Sequence, residues 1–436
     1  MPEQMPGPAQ LAVFFGDQLV GHVHDSAPLS FTYSEPWLAR PEPAQISAIT
    51  PAVGPIHSAA VTAFFENLLP EGELRRFLAS SKKASTLFAL LREVAGDTAG
   101  GFVILPAGQQ PERPAYQATT WAALATRLGQ ASTAALDLQA PQTRISLSGA
   151  QDKAAIALFA DGVPQLPLGT SPSTHILKPD IKRLAKVWHS AANEAITMRA
   201  AALCGLPTAE VFYEPLTQAC VVRRFDRQLR PDGTLGRVMQ YDLCQLSAIA
   251  SDKKYEKEGG PGAAKCAQLI RHYSSVPAVD LKHYLAWLFF NLYTGNNDGH
   301  AKNLSIYRAP TGGIRLTPFY DLMCTRIYPG LSREFAFAIG GEVLPGALTR
   351  SHVQQMAQSM GIRPAFVLGI AADMAQRVPT AMEAAIASVQ ADLPPGAKTL
   401  ALRLHTFVRK TTQQISKRFL TGSVGERVAP APGGPA

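Results

Sequence analysis

The chain has 436 residues, of which 46% are apolar and 17% charged. This composition is typical of a globular protein with a packed core and room for two or three domains. Its 41 Lys and Arg against 33 Asp and Glu give a net charge of +8, which favours anionic partners but is too mild to indicate a dedicated nucleic-acid binder. The five cysteines, an odd number at wide spacing, fit neither a disulfide framework nor a zinc site, so we expect buried thiols.

The N-terminus shows no targeting signal. Its first residues, MPEQMPGPAQLAVFF, include Glu3 and place no basic region ahead of a short apolar run. No apolar stretch in the chain reaches the roughly 20 residues that a transmembrane helix needs. We therefore expect a cytoplasmic protein with no membrane partner.

The first part of the chain is predicted to be a mixed α+β unit that ends at a Pro-rich break, 106–116. Alternating apolar and polar residues predict short strands within 11–25 and 29–38. Apolar residues repeated at three and four positions predict helices within 58–81 and 85–96, each beginning at a serine that can cap it.

The next part is predicted to be a sheet crossed by one helix. Alternation predicts a strand, turn and strand at 144–159, and strands at 174–179, 209–214 and 219–225; helical periodicity predicts a helix at 189–205. Beyond 225 the pattern is mainly helical, apart from a hairpin at 304–321, and we find no internal repeat.

A dense polar motif, GNNDGHAKN (295–303), follows directly after the apolar run HYLAWLFFNLY. Grouped carboxylate, amide and ammonium groups are costly to bury unless they are paired or hold a ligand. Asp298 and Asn303 have the Asp-x-x-x-x-Asn spacing of kinase catalytic loops, and the hairpin that follows can return Asp321 beside Asn303. The motif therefore predicts a base and a magnesium site for phosphoryl transfer, although Asp298 could instead cap a helix beginning at His300.

Two further signals precede this motif in the order that a kinase requires. Lys178 lies within a predicted strand and Glu194 on the following predicted helix, where they could form the ion pair that directs a lysine to the nucleotide phosphates. Taken alone, each could be a surface charge. Gly149 lies at a predicted turn, but a single glycine is equally typical of an ordinary hairpin.

Longer motifs give the chain a specific resemblance, which runs in order from about residue 10 to 420. The chain resembles the HipA family of bacterial toxin serine/threonine kinases in FFENLLPEG (64–72), ISLSGAQDKAAI, THILKPD, NEA, VRRFDR, DLCQ (242–245), KYEKEGGPG (254–262), GNNDGHAKNLSIY and LTPFYD.

The resemblance implies a role for each matching position. Asp298 would be the catalytic base, Asn303 and Asp321 would bind Mg²⁺, and Lys178, oriented by Glu194, would meet the phosphates of ATP. The other ATP-binding positions implied are Ser148, Gly149, Ala150, Gln151, Asp152 and Lys153 in a nucleotide loop, Arg223, Arg224 and Phe225 in a hinge that reads adenine through its backbone, and His300, Ala301, Lys302 and Tyr320.

The same resemblance implies autophosphorylation of the nucleotide loop. Ser146 falls on the serine that members of the family modify, and Ser148 adds a second hydroxyl where other members carry alanine. A phosphoryl group there would repel the phosphates of ATP and displace the loop. Arg223 is a second departure, because an acidic residue is common at that hinge position.

The implied fold class is α+β, a two-lobed protein-kinase-like fold with an N-terminal α+β subdomain and a mainly helical C-terminal lobe. The expected divisions are an N-terminal subdomain at 1–120, a kinase-like N-lobe at 121–225, a helical C-lobe at 226–422 and a disordered tail at 423–436.

The function implied is that of a growth-arresting toxin of a toxin–antitoxin system, a kinase linked to persistence. Its expected protein substrate is an aminoacyl-tRNA synthetase, and its expected partner is a HipB-like helix-turn-helix antitoxin that would connect it to DNA. Two alternatives stay open: a small-molecule phosphotransferase of the same broad fold, and a pseudokinase acting as an antitoxin-binding corepressor. The intact Asp298, Asn303, Asp321 and Lys178 argue against the pseudokinase.

Overall fold

The computed structural model describes residues 9–40, 45–94, 96–130 and 153–420. Within these ranges every helix is too short or too polar to cross a bilayer. All five cysteines are buried free thiols, as predicted. The tail predicted to be disordered, 423–436, lies outside the described residues.

The N-terminal unit contains an antiparallel sheet covered by short helices. Its strands are β1 (Gln10–Phe15), β2 (Gln18–His24), β3 (Ser30–Tyr33), β4 (Ile56–His57) and β5 (Phe102–Pro106). Its helices are α1 (Glu35–Leu38), α2 (Ala59–Asn67), α3 (Gly72–Ser81) and α4 (Leu87–Val94). The strand order is β4-β3-β2-β1-β5, and the apolar face of the sheet packs on α2 through the fully buried rings of Phe31, Phe64 and Phe65.

The stretch predicted as helical at 58–81 is two helices with a break between them. Pro70 cannot donate the backbone hydrogen bond that a continuing helix needs, and Gly72 has a positive φ of 56°. The predicted caps also differ, because the Ser58 hydroxyl makes no capping bond and Thr86, rather than Ser85, accepts from the backbone at the start of α4. The break leaves residues 68–71 as a turn in which Leu68 and Leu69 pack into the core of this unit, while Glu71 contacts Lys254 of the helical part.

The second part of the chain forms an antiparallel sheet with two helices. Its strands are β6 (Tyr116–Ala118), β7 (Ala154–Leu158), β8 (Pro164–Pro167), β9 (His175–Lys178), β10 (Val211–Glu214) and β11 (Ala219–Arg223). Its helices are α5 (Trp121–Gln130) and α6 (Ser190–Leu203). The order β10-β11-β9-β7-β8-β6 places β9 in the interior of the sheet. The strands predicted at 174–179, 209–214 and 219–225 and the helix predicted at 189–205 are confirmed.

The third part of the chain is mainly helical, as predicted. Its helices are α7 (Leu243–Leu246), α8 (Ala263–Tyr273), α9 (Pro277–Thr294), α10 (Arg350–Ser359), α11 (Pro364–Val389) and α12 (Pro395–Leu420). Its strands are β12 (Arg227–Leu229), β13 (Leu235–Arg237), β14 (Gln240–Asp242), β15 (Ser305–Arg308) and β16 (Ile314–Leu316). The predicted hairpin is β15 and β16, and β14 joins it as a third strand that sequence analysis missed.

Each of the three parts has its own apolar core, and α6 connects two of them. The N-terminal sheet and the second sheet bury separate clusters, while α6 is buried on nearly every side and contributes its alanines to the core of the helical part. The mixed α+β class is thus confirmed. The domain divisions at 120, 225 and 422 stay a prediction, and β6 already pairs with β8 of the second sheet before residue 120.

Candidate active site

The polar motif at 295–303 lies where the apolar helix α9 ends. Gly295 terminates this helix with a positive φ of 72°, and a Cβ there would come within 2.7 Å of the Phe407 ring, so glycine is required on both counts. The chain then turns outward and forms a short 3₁₀ turn, Ala301–Asn303. The sharp end of the helix places Asp298 at the surface of a cleft while the residues around it stay buried.

Lys178 and Glu194 form the predicted ion pair. The Lys178 Nζ lies 2.5 Å from Glu194 Oε1 and 2.8 Å from Asp321 Oδ1. Strand β9 and helix α6 supply the first two groups, and the segment after β16 supplies the third. Asn303 completes the group, because its Nδ2 donates to Asp321 Oδ2 at 2.9 Å. The structure therefore brings together four of the residues predicted for ATP and magnesium.

The charges in this group stabilise one another. Burial alone would lower the pKa of Lys178, but Asp321 and Glu194 raise it above its usual value. Burial alone would raise the pKa of Asp321, but Lys178 and Lys153 hold it well below its usual range. Lys178 is therefore a fixed cation and Asp321 a fixed anion across the neutral pH range.

Asp321 adopts a backbone conformation that is uncommon for residues other than glycine. Its φ is 60°, in the left-handed region, and its side chain is 41% exposed to the cleft. Phe319, two residues earlier, is anchored by a backbone hydrogen bond to Pro207 and by burial in the core. The anchored hairpin thus holds Asp321 in a strained position facing the cleft, which is a common feature of functional sites.

Asp298 is exposed and has two neighbours that sequence analysis did not assign. The Tyr255 hydroxyl donates a hydrogen bond to its carboxylate, and Lys254 lies near enough to lower its pKa. Loss of water on the cleft side outweighs these effects and leaves the pKa of Asp298 raised. The alternative that Asp298 caps a helix fails, since the 3₁₀ turn begins after His300, whose N–H donates to Asn303 Oδ1 at 3.2 Å.

Two residues of the polar motif, His300 and Ala301, are buried. Burial, with Lys254 nearby, lowers the pKa of His300 far enough to keep the imidazole neutral, and its ring packs edge-on against Tyr255. Ala301 is fully buried in the helical core. Ala301 could contact a nucleotide only through its backbone. His300 could use its backbone or its neutral ring.

Lys302 points away from Asp321. Its Nζ donates to the backbone oxygen of Asn67 at 2.9 Å, to Asn67 Oδ1 at 2.7 Å and to Asp242 Oδ2 at 3.3 Å. The side chain is 5% exposed and connects the polar motif to helix α2 of the N-terminal unit. Its backbone oxygen accepts from the hydroxyl of Tyr320, which lies beside Asp321. A role for Lys302 in binding ATP would therefore fall to its backbone.

The predicted hinge residues differ in what their side chains contact. Arg223 is exposed and pairs with Glu210 at 2.8 Å, whereas the half-buried Phe225 packs on the rings of Tyr307 and Tyr320. The N–H groups of Arg223 and Arg224 already donate to backbone oxygens in the second sheet. Adenine contacts at the hinge would use the remaining carbonyls and Phe225.

Arg224 belongs to a buried ionic group that we call the hinge cluster, formed by Asp97, Arg224, Asp226, Arg227 and Arg237. Asp97, from the N-terminal unit, lies 2.6 Å from Arg227 and 3.2 Å from Arg224, and Asp226 contacts both arginines at 2.8 Å. No member side chain is more than 9% exposed. This cluster anchors the hinge to the N-terminal unit, and sequence analysis did not predict it.

The nucleotide loop falls largely outside the described residues. This applies to the predicted ATP-binding residues Ser148, Gly149, Ala150, Gln151 and Asp152 and to the predicted phosphorylation site Ser146. Lys153, the last residue of the loop, is described and buried. Burial and the neighbouring Lys178 lower the pKa of Lys153 to about 8, although Asp321 acts in the opposite direction.

Glu71 also reaches this cleft, from the turn between α2 and α3. Its Oε2 accepts from Lys254 Nζ at 2.7 Å. We call the combined group the cleft cluster, formed by Glu71, Lys178, Glu194, Lys254, Asp298, Asn303 and Asp321. Glu71 and Lys254 lie in FFENLLPEG and KYEKEGGPG, which sequence analysis singled out as motifs without giving them roles. Those two motifs were the sequence signal from which Glu71 and Lys254 could have been assigned to the site.

Comparisons with known proteins agree along most of the chain. A family model of the HipA-like C-terminal domain matches residues 145–382, and a model of the HipA N-terminal domain matches residues 11–105. The protein Y4mE of Sinorhizobium fredii, whose given name proposes kinase activity, is 35% identical over 81% of this chain and 86% of its own length. The serine/threonine-protein kinase toxin HipA of Shewanella oneidensis is 29% identical over 88% of this chain and 90% of its own length.

A solved structure extends this similarity to the fold. The Shewanella oneidensis toxin–antitoxin complex of HipA, HipB and operator DNA contains a chain that matches with a TM-score of 0.78 and 26% identity. The match covers 94% of this chain and 97% of that one. The predicted two-lobed, kinase-like fold is thereby confirmed.

Proposed function

The chain belongs to the HipA family, and from that premise we propose that it is an ATP- and Mg²⁺-dependent serine/threonine protein kinase. The observation that carries the proposal is the cleft cluster. Lys178 contacts Glu194 and Asp321, and Asn303 donates to Asp321, so that hydrogen bonds link the four residues in series. Asp298 is exposed in the same cleft. Phosphoryl transfer depends mainly on positioning and charge stabilisation, which such a group provides.

The phosphates of ATP would contact Lys178. Glu194 holds its ammonium from the side of helix α6, so the lysine cannot swing away when a nucleotide enters. Asp321 accepts a second hydrogen bond from the same ammonium, which would then contact both Asp321 and the phosphates. An ammonium has three donors, so the two roles are compatible.

Asn303 and Asp321 fit the predicted magnesium site. They offer an amide and a carboxylate in contact at 2.9 Å, and the Asp321 side chain is open to the cleft. When bound, Mg²⁺ would neutralise phosphate charge, and it needs few protein ligands because it keeps waters and phosphate oxygens in its shell. Lys178 and the strained backbone of Asp321 would hold the carboxylate in position before the metal arrives.

Asp298 would accept the proton of the attacking serine hydroxyl. Its carboxylate is exposed to an incoming substrate, and a raised pKa makes it a better proton acceptor than an ordinary aspartate. The Tyr255 hydroxyl would orient it by donating to one oxygen and leaving the other free. The base and the phosphate-binding groups then face the same cleft.

The physiological role follows from the family and is part of the proposal. The kinase would be the toxin of a toxin–antitoxin system, arresting growth by phosphorylating a translation factor, with an aminoacyl-tRNA synthetase as the first candidate. A helix-turn-helix antitoxin would neutralise it and link it to DNA, as in the complex of the Shewanella oneidensis relative with HipB and operator DNA.

The deciding experiment compares the full chain with Asp298→Asn. We expect induction of the wild-type chain to arrest growth and to add phosphate to a small set of proteins measured by phosphoproteomics. Asp298→Asn should reduce transfer by on the order of 10²–10⁴. Asp252→Asn, an exposed aspartate outside the cleft, is the matched control and should behave as wild type. Equal growth arrest by a folded Asp298→Asn protein would refute the kinase and favour a pseudokinase.

The same material tests autophosphorylation. After incubation with Mg-ATP, intact-mass spectra should gain phosphate only when Asp298 is present, and peptide mapping should place it on Ser146 or Ser148. A phosphoryl group there would oppose ATP binding through like charge. An active enzyme whose residues 144–153 never gain phosphate would exclude this form of regulation. Transfer to a metabolite with none to protein would favour the small-molecule phosphotransferase.

A further inference from the structure

The turn between α2 and α3 delivers a carboxylate from the N-terminal unit into the cleft. Glu71 follows Pro70 and precedes Gly72, whose positive φ of 56° lets α3 begin at once. The Glu71 side chain is only 9% exposed and faces the catalytic loop rather than the sheet of its own unit. Burying a carboxylate is unfavourable without cationic partners, so its location requires a partner in the helical lobe.

That partner is Lys254. The Glu71 Oε2 accepts from Lys254 Nζ at 2.7 Å, whereas Oε1 is buried without a hydrogen bond from the described residues and lies 3.8 Å from Lys302 Nζ. The Lys254 ammonium also acts electrostatically on Asp298 and Asp321. Its Nζ lies 5.5 Å from the centre of the Tyr255 ring, and the Tyr255 hydroxyl donates to Asp298. The ammonium is therefore close to the proposed base, where a transferring phosphoryl group would pass.

The other lysines of the loop region are more heavily engaged. Lys178 contacts Glu194 and Asp321, and Lys302 donates to Asn67 and Asp242. Lys302 stands four residues after Asp298, yet it would have to break buried contacts to turn toward a phosphate. Lys254 donates to Glu71 in the described part of the chain, which leaves donors of its ammonium for a ligand.

We propose that Lys254 is a phosphate-binding residue directed at the terminal phosphate of ATP, and that Glu71 of the N-terminal unit is its positioning residue. This inference rests on the proposed kinase function. The Lys254 ammonium would stabilise the charge on the terminal phosphoryl group, and Glu71 would prevent Lys254 from closing onto Asp298. The N-terminal unit would then form part of the phosphate site.

The test compares the affinities of Mg-ATP and Mg-ADP by calorimetry, using full-length protein in an Asp298→Asn background that leaves ATP intact. Because only ATP carries the terminal phosphate, Lys254→Met should reduce the preference for ATP over ADP by on the order of tenfold. Glu71→Gln should reduce it less, and the double variant should lose no more than Lys254→Met alone. Lys254→Arg should restore part of the preference.

Lys257→Met is the matched control. Lys257 lies three residues from Lys254 but is exposed and pairs with Glu334 outside the cleft, so its loss should leave both affinities unchanged. Thermal unfolding of each variant identifies a purely structural contact, which would lower Tm and leave the ATP-to-ADP ratio intact. A lowered Tm with an unchanged ATP-to-ADP ratio in Lys254→Met would overturn the inference. If Lys254→Met does not fold, the same result in Glu71→Gln would overturn it.

The outcomes for the two proposals are separable. A wild-type chain that binds Mg-ATP but transfers no phosphate would refute the kinase, while a lost ATP preference in Lys254→Met would still support the phosphate contact. An active wild-type kinase whose Lys254→Met variant keeps its ATP preference and its kcat would refute only the phosphate contact. A chain that binds neither nucleotide would overturn both.

Discussion

The hinge cluster and the cleft cluster are both built from buried charges that join the N-terminal unit to the rest of the chain, yet they differ in how completely they are closed. In the hinge cluster every side chain is at most 9% exposed, and Asp97 and Asp226 are held among three arginines. In the cleft cluster Asp321 is 41% exposed and Asp298 is exposed. Charged groups that are all buried and paired indicate a structural role. Charged groups that stay exposed to a cleft indicate a site for ligands.

The two clusters also have opposite surplus charge. The hinge cluster combines three arginines with two aspartates, so it has a surplus of positive charge. Burial and the neighbouring Arg227 and Arg224 lower the pKa of Arg237 to about 10, although Asp97 acts in the opposite direction. The cleft cluster combines two lysines with the four carboxylates Glu71, Glu194, Asp298 and Asp321. Lys153 adds a third ammonium that faces three of these carboxylates, so one negative charge remains in surplus. An acidic surplus in an open cleft suits a cation, whereas the closed cluster has no access for a counter-ion.

The largest effect on stability should come from breaking the closed cluster. Asp97→Asn would leave three buried arginines facing Asp226 alone, and removing one partner from a buried ionic group costs about 3–5 kcal/mol. Urea unfolding measures the loss. Asp373→Asn, which removes an exposed pair with Arg377, is the control and should change stability by less than about 1 kcal/mol. Equal effects of the two changes would show that the hinge cluster contributes no more to stability than an exposed ion pair.

The open cluster should respond in binding more than in stability. Asp321→Ala should weaken Mg-ATP affinity by on the order of 10²-fold, because the phosphates lose a metal ligand, while Lys178 keeps its contact with Glu194. Calorimetry with and without magnesium measures the change. If Asp321→Ala instead behaved like Asp97→Asn, with a large loss of stability and unchanged affinity, the cleft would be a structural cluster too.

Acid should affect the closed cluster through its aspartates. Burial alone would raise the pKa of Asp226, but Arg224 and Arg227 lower it to about 2, below the value of about 3.9 in an unfolded chain. A depressed folded pKa contributes stability above the unfolded pKa and loses it as the pH falls toward the folded one. As the pH falls from about 3.9 toward about 2, urea unfolding should show a steeper loss of stability in the wild type than in Asp226→Asn, which lacks the titrating carboxylate. Parallel losses would place the acid-sensitive groups elsewhere.

The smallest effect expected is alkaline weakening of ATP binding through Lys153. Its pKa of about 8 means that the ammonium is lost as the pH rises through that value, and the groups that face it are Lys178, Asp321, Glu71 and Glu194. Affinity for Mg-ATP should fall by about a few-fold on passing this pKa, as expected for one charged contact. Lys153→Arg should remove the dependence, because a guanidinium stays charged. A wild-type affinity that is flat in this range would exclude a phosphate contact by Lys153.

The polar loop at 295–303, the Lys178–Glu194 pair and the β15–β16 hairpin could be predicted because each depends on short spacing or local periodicity. An apolar helix that ends at Gly295, and a hairpin that returns the chain to Asp321, are properties of contiguous residues. Strand β14 was missed because three residues carry too little alternation to mark a strand. Because 58–81 was predicted as one helical stretch, the turn that carries Glu71 was missed, although Pro70 indicated a break in the helix.

The sequence by itself determined the family and the order of the kinase-like elements, and it predicted which residues would bind ATP and magnesium, since local motifs record these. Only the tertiary structure decided that Lys302 turns to Asn67, that Lys254 and Glu71 enter the cleft, and that the hinge is anchored to the N-terminal unit. Asp97 and Arg237 lie 140 positions apart. The direction of a long charged side chain is set by which acceptors packing brings within reach, and no spacing along the chain encodes that distance.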